Sequence, residues 1–284
     1  MTKYLVTGAH GMLGRDVVAA LAGREVTGLG RADLDIADAA AVREAVDGYD
    51  VVINTAAYTR VDDAETDEDA AFAVNATGAD NLAIATAETG ATLAHFSTDY
   101  VFDGTASSPY PEEAPTHAVT AYGRTKAAGE AFVRQHGPAR TFVIRVAYLY
   151  GQHGGNFVTT MLRLAAQRDS LSVVTDQRGQ PTWTKDVAAQ TLALLDSGAP
   201  AGVYHATNSG SASWFEFARA IFETRGLDPE RVLPTDSAHY VQRAPRPAYS
   251  VLGHDAWARA GLAPMREWRD ALREALEGGA INAP

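Results

Sequence analysis

The chain has 284 residues, 46% hydrophobic and 21% charged, enough apolar material for one large α/β body or one body with an added lobe. Its net charge of -11 argues against nucleic acid or an anionic membrane as the main partner, and the lack of cysteine excludes disulfides, thiolate metal sites and thiol nucleophiles. No apolar run approaches the roughly 20 residues that span a bilayer, and no signal-peptide pattern precedes the first strand, so a cytoplasmic protein is expected.

Residues 4–7 read as a strand and 11–21 as a helix. Residues 25–29 form a second strand, 39–46 a helical stretch, and 50–54 an apolar strand of the kind covered on both faces. A helix over 68–89, a strand over 92–97, a helix over 120–136 and a strand over 141–146 continue the alternation. This β-α order predicts a Rossmann-type doubly wound parallel sheet with a smaller C-terminal α/β substrate lobe. The nucleotide-binding domain is expected over residues 1–150, with 183–205 returning to it, and the substrate lobe over 151–284. After residue 151, 156–168, 213–224, 255–261 and 265–276 are expected helical, 171–175 extended, 184–195 and 203–205 a further helix and strand of the sheet, and 278–284 frayed.

Between the first strand and helix stands Thr7-Gly8-Ala9-His10-Gly11-Met12-Leu13-Gly14. Glycines there permit a tight turn and a close approach of backbone to pyrophosphate, and the helix N-terminus adds N–H groups and a positive dipole end. The second strand ends in Gly28-Leu29-Gly30-Arg31, where an NAD site would offer a carboxylate. Arg31 suits a 2′-phosphate, so NADPH is preferred, with NADH as the alternative. Asp35 and Ile36 are placed at the adenine edge.

Tyr122 and Lys126 are four residues apart on one predicted helix and share a face. A phenol titrates near ~10, and a neighbouring ammonium is expected to lower that value. Upstream, Ser97 and Thr98 fall at the carboxyl edge of a parallel strand, where α/β sheets bind ligands. A hydroxyl there can hold a carbonyl while Tyr122 supplies a proton. Arg243 and Arg246, in a Pro-rich stretch of the lobe, are candidates for a diphosphate. The acidic run Asp62, Asp63, Glu65, Asp67, Glu68 and Asp69 reads as helix first-turn acids, and the histidines show no metal-ligand spacing, so no metal site is expected. Trp183, Trp214, Trp257 and Trp268 are expected to pack.

These residues together resemble the extended short-chain dehydrogenase/reductase family and, within it, the dTDP-4-dehydrorhamnose reductase family. The motifs that carry the likeness begin with the glycine loop, Asn54-Thr55-Ala56-Ala57-Tyr58, Val61-Asp62-Asp63-Ala64-Glu65 and Val74-Asn75-Ala76-Thr77. They continue with Ser97-Thr98-Asp99-Tyr100-Val101-Phe102-Asp103-Gly104, Tyr122-Gly-x-Thr-Lys126 and Arg145-x-x-Tyr148-x-Tyr150-Gly151. Asn156-Phe157, Asp176-Gln177-x-Gly179-x-Pro181-Thr182 and Arg246-Pro247-x-x-Ser250 complete a likeness over nearly the whole chain. It implies catalysis by Thr98, Tyr122 and Lys126. It implies cofactor contacts from Gly8, His10, Gly11, Met12, Leu13, Arg31, Asp35, Ile36, Ala56, Ala57, Tyr58, Phe96 and Lys126. Substrate contacts are implied for Thr98, Asp99, Tyr100, Tyr148, Asn156 and Arg246.

The implied reaction is NADPH-dependent reduction of the 4-keto group of a dTDP-4-keto-6-deoxysugar, with dTDP-L-rhamnose as the preferred product, by a cytoplasmic enzyme that forms a homodimer. Tyr148 stands where some relatives carry Trp. Tyr100 stands where a 4,6-dehydratase carries glutamate, which disfavours dehydration. A 4-ketoreductase for another dTDP-deoxysugar and a non-catalytic NADP-binding regulatory subunit are the alternatives.

Overall fold

A computed structural model describes residues 1–240 and 242–281. The first half lays down β1 (Lys3–Thr7), α1 (Met12–Ala20), β2 (Glu25–Leu29), α2 (Ala39–Val46) and β3 (Val51–Asn54). Then come α3 (Val61–Ala64), α4 (Glu68–Phe72), α5 (Gly78–Thr89), β4 (Thr92–Thr98), α6 (Ala121–His136) and β5 (Thr141–Val146). The second half holds β6 (Leu149–Tyr150), α7 (Phe157–Ala165), β7 (Leu171–Val174), β8 (Arg178–Gly179), β9 (Thr182–Trp183), α8 (Thr184–Asp196) and β10 (Gly202–His205). It closes with β11 (Ala212–Ser213), α9 (Trp214–Thr224), β12 (Val232–Thr235), α10 (Asp255–Arg259) and α11 (Trp268–Glu277).

Six strands form one sheet in the order β10-β5-β4-β3-β1-β2. All five pairings are parallel. The apolar run of β3 is buried at every position because helices cover both faces. On one face α1, α8 and α10 bring Val17, Val187 and Trp257 against the sheet; on the other α2, α5 and α6 bring Val42, Leu82 and Val133. The lobe has its own core, in which Phe217 and Phe222 of α9 meet Trp268 and Leu272 of α11. From β1 the chain runs outward to β2, then back past β1 to β3. The β1/β3 boundary is therefore the switch point at which such sheets open a crevice beyond their carboxyl ends.

Two expectations change. The helix expected over 68–89 is interrupted by a π-turn at Ala73–Thr77, an extra residue that no propensity signal announces. The tail expected to fray is anchored as far as Ile281, which is 2% exposed and donates its backbone N–H to the Ala275 carbonyl; residues 282–284 lie outside the described residues. Among the described residues, no helix is long and apolar enough to cross a membrane, and no cluster of His, Asp and Glu could hold a metal ion.

Candidate active site

A cleft of about 870 Å³ opens at the switch point, between the sheet's carboxyl edge and the lobe. Gly8 (φ +70°) turns the chain at its base, and a Cβ there would fall 2.5 Å from the Ala56 nitrogen. At Gly14, a Cβ would fall 2.3 Å from the Gly8 carbonyl oxygen, so α1 begins directly on the loop. Gly11, at the N-cap of α1, offers no side chain to the first-turn N–H groups, and no acid sits in that turn. A cradle of bare backbone closed by a helix N-terminus fits a dinucleotide pyrophosphate.

At the far end of the cleft the two acids that follow Arg31 each accept from a backbone N–H. Asp33 turns back to accept from the Gly30 N–H at 2.8 Å, and Asp35 accepts from the Ala37 N–H at 3.0 Å. Arg31 lines the cleft beside them. Gly30 leaves room for the His10 ring, whose Nδ1 would lie 2.2 Å from an added Cβ.

The reactive end is built on β4 and α6. Helix α6 starts where Thr120 accepts from the Gly123 N–H at 2.9 Å and Glu65 accepts from the Ala121 N–H at 2.8 Å. Glycines let it sit close: a Cβ on Gly123 would meet the Tyr100 carbonyl at 2.2 Å, and one on Gly129 the Asn75 carbonyl at 2.1 Å. This docking sets Tyr122 and Lys126 into the cleft. Thr98, ending β4, donates to Asp99 Oδ1 at 3.0 Å and accepts from the Tyr100 N–H at 3.2 Å. Tyr100 packs edge-on against Tyr122, ring centroids 5.7 Å apart.

Burial governs the charges. It pushes the Tyr122 phenol up to about 12, against the opposing influence of the neighbouring Thr98 hydroxyl. It pushes the Lys126 ammonium down to about 8 and the Asp99 carboxyl up to about 6. The expectation that Lys126 lowers the Tyr122 pKa is therefore corrected. The Lys126 Nζ instead donates to the Phe96 carbonyl at 2.6 Å, and burial, followed by the Thr98 hydroxyl and the Asp99 charge, sets the Tyr122 value.

Of the residues singled out from sequence, the cofactor set and Thr98, Asp99, Tyr100, Tyr122, Lys126 and Tyr148 all line this one cleft. Asn156 and Arg246 do not. Asn156 caps α7, accepting from the Thr159 N–H at 3.1 Å and donating to the Gly151 carbonyl at 2.9 Å, so its amide is spent on the loop. Arg246 is bound to Asp62 at 2.6 Å, and Arg243 donates to the Thr66 hydroxyl at 3.5 Å. The acidic run is thus more than first-turn acids: Asp62 holds the lobe, Glu65 caps α6, and Glu68 pairs with Arg124 at 2.7 Å. Tyr148 has φ 44°, a strained value for a bulky residue, and its ring stacks on Trp214 at 3.8 Å.

Asn75 was legible only as part of a motif. Its side chain accepts from the Tyr58 N–H at 2.8 Å and donates to the Tyr58 carbonyl and the Thr125 hydroxyl, both at 3.1 Å. It thereby ties the π-turn, the Ala56–Tyr58 wall and α6 together. Asn75→Ala leaves those buried groups unpaired and should cost about 2–3 kcal/mol. Urea unfolding measures this, and a change below about 0.5 kcal/mol would refute the tie.

Residues 2–280 match the model of the RmlD substrate binding domain. A dTDP-4-keto-6-deoxy-D-glucose reductase of Streptomyces niveus is 49% identical over 96% of this chain and 96% of its own length. A dTDP-4-dehydrorhamnose reductase of Streptomyces griseus is also 49% identical, over 96% of this chain and 93% of its own. The crystal structure of dTDP-4-dehydrorhamnose reductase from Bacillus anthracis in complex with NADP is 36% identical; it superposes with a TM-score of 0.93, covering 98% of this chain and 100% of that one.

Proposed function

This chain belongs to the RmlD substrate binding domain family, and on that premise we propose that it reduces the 4-keto group of a dTDP-4-keto-6-deoxysugar with NADPH. The preferred reaction is dTDP-4-dehydrorhamnose to dTDP-L-rhamnose. The observation that carries this reading is the convergence of Thr98, Tyr122 and Lys126 beside a glycine cradle in one cleft.

NADPH, when bound, supplies the hydride. The loop Gly8–Gly14 would receive its pyrophosphate, Arg31 its 2′-phosphate, and Lys126 its nicotinamide ribose. Thr98 orients the keto oxygen. Tyr122 Oη gives its proton to the oxygen that becomes the 4-hydroxyl. A phenol held near 12 is still a far stronger acid than an alcohol, so the transfer runs downhill. Burial keeps Tyr122 in the protonated form from which it can give that proton. The Tyr100 and Tyr148 rings form the sugar side of the cleft. The same reading takes a cytoplasmic location and a homodimer as working expectations, for fractionation and sedimentation to test.

A second reading has the same chemistry on another deoxysugar. The equal identity to the S. niveus and S. griseus enzymes favours it as the one serious alternative. NADPH oxidation should be followed at 340 nm with dTDP-4-keto-6-deoxysugars of both configurations at C5, and the product identified by NMR. Turnover with the L-sugar supports rhamnose formation, turnover with the D-sugar alone supports the second reading, and no oxidation with either would overturn both.

A further inference from the structure

Behind Lys126 lies a second charged pair for which the reduction itself has no use. Glu130, one helical turn further along α6, is 2% exposed, and Arg145 of β5 is 1% exposed. They meet in a bidentate ion pair, Arg145 Nε and Nη2 donating to the two Glu130 oxygens at 2.8 and 2.7 Å. Arg145 is itself fixed, its guanidinium 5.0 Å above the Phe102 ring and donating to the Glu112 carbonyl at 3.3 Å. A buried ion pair stabilises a fold no better than a well-packed apolar pair of the same size, so packing alone does not explain it.

Its position does. Lys126 and Glu130 are related by i,i+4 spacing and so lie on the same face of α6. The titratable groups around the Lys126 ammonium are few. His95 on β4 is held neutral, by its own burial first and by Lys126 second. Tyr122 on α6 is held neutral by burial. Glu130 is the carboxylate that opposes the loss of the Lys126 proton. The ammonium's hydrogen bond to the Phe96 carbonyl adds no countercharge.

We propose that the Glu130–Arg145 pair is a positioning device for Lys126: the carboxylate, pinned in place by the two Arg145 hydrogen bonds one turn along the same helix face, holds the Lys126 ammonium with its free N–H groups turned to the cleft. Neither Glu130 nor Arg145 lines the cleft, so the pair acts only through Lys126. The inference rests on the dinucleotide reading of the cleft, and its test is binding of NADPH rather than turnover of a sugar.

The measurement is the dissociation constant of NADPH, by nucleotide fluorescence, from pH 6 to 9.5, with a thermal melt at each pH. In the wild-type protein, affinity should fall as pH rises through about 8, where Lys126 loses its charge. Glu130→Gln should move that midpoint about one unit toward acid, so that at pH 8 the apparent Kd rises about fivefold because a smaller fraction of molecules carries the charged lysine. Glu130→Gln leaves Arg145 buried and unpaired, so the double variant Glu130→Gln/Arg145→Gln, which removes both charges, should show the same acid shift in a folded protein. Glu130→Asp, which keeps the charge, should retain the wild-type midpoint. A folded double variant with an unshifted midpoint would show the pair to be structural only and overturn the proposal. Failure of the wild-type protein to bind NADPH at any pH would instead overturn the dinucleotide reading.

Discussion

Tyr122→Phe should lower kcat by about 10²–10⁴-fold, the range spanned by loss of a positioned proton donor, with the Kd for NADPH unchanged. The substitution removes one oxygen from a ring already wedged against Tyr100, so packing is preserved while the proton is lost. Lys126 keeps its bond to the Phe96 carbonyl, and the glycine cradle lies elsewhere in the cleft. The expected split is therefore catalytic loss with intact cofactor binding. NADPH oxidation gives kcat and fluorescence gives Kd. A variant that turns over at the wild-type rate would remove Tyr122 from the mechanism, and one that also stops binding NADPH would mean that the phenol serves the cradle instead.

Gly14→Ala should act at the opposite end of the cleft, with the opposite signature. An added Cβ meets the Gly8 carbonyl oxygen at 2.3 Å, the Ala9 Cα at 2.8 Å and the Thr55 hydroxyl at 2.8 Å. Two of these three are backbone atoms and have no rotamer by which to yield. Helix α1 must then lift off the loop, and overpacking of this kind costs about 1–3 kcal/mol of stability. The helix N-terminus and the Gly8 turn also lose their shared register. If that strain falls on the bound state, NADPH affinity should drop by roughly 10-fold or more, at about 1.4 kcal/mol per tenfold. Gly198→Ala, whose Cβ meets nothing within 4 Å, is the matched control and should leave both quantities at wild-type values. A Gly14→Ala protein that binds NADPH normally would refute the cradle.

What could be read from the sequence was what is local in the chain. The glycine loop announces itself because Gly8, Gly11 and Gly14 fall between a strand and a helix, and a parallel α/β sheet turns such a loop toward its carboxyl edge. Tyr122 and Lys126 could be placed together because helical periodicity fixes side chains four residues apart. The Lys126 effect on Tyr122 was misjudged for the same reason. Proximity is visible in sequence, but desolvation depends on everything packed around the pair. Asn156 and Arg246 were expected at the substrate from the family likeness, and the contacts they make within the chain, a helix cap in one case and Asp62 in the other, could not be read from spacing. The Asp62–Arg246 contact joins residues 184 apart, and the Glu130–Arg145 pair joins a helix to the strand after it. No spacing rule connects such residues before the fold does. The positive φ at Tyr148 is likewise imposed from outside, by Trp214 beneath its ring and by Gly179, where a Cβ would strike the ring at 2.6 Å.

The path of the chain between sheet and lobe has a mechanical consequence. After β5 it leaves for the lobe with α7 and β7, returns to the sheet as α8 and β10, and leaves again as α9. It comes back once more where Trp257 of α10 enters the sheet's core, and ends in the lobe with α11. The two bodies are thus laced together by repeated crossings. A single backbone nick in any one crossing should leave both halves associated on a native gel, and neither body should be obtainable by truncation. A lacing of this kind also stiffens the cleft against wide hinge opening. Ligands must then be admitted by small shear and by the loops along its rim, with the reacting groups kept in register throughout.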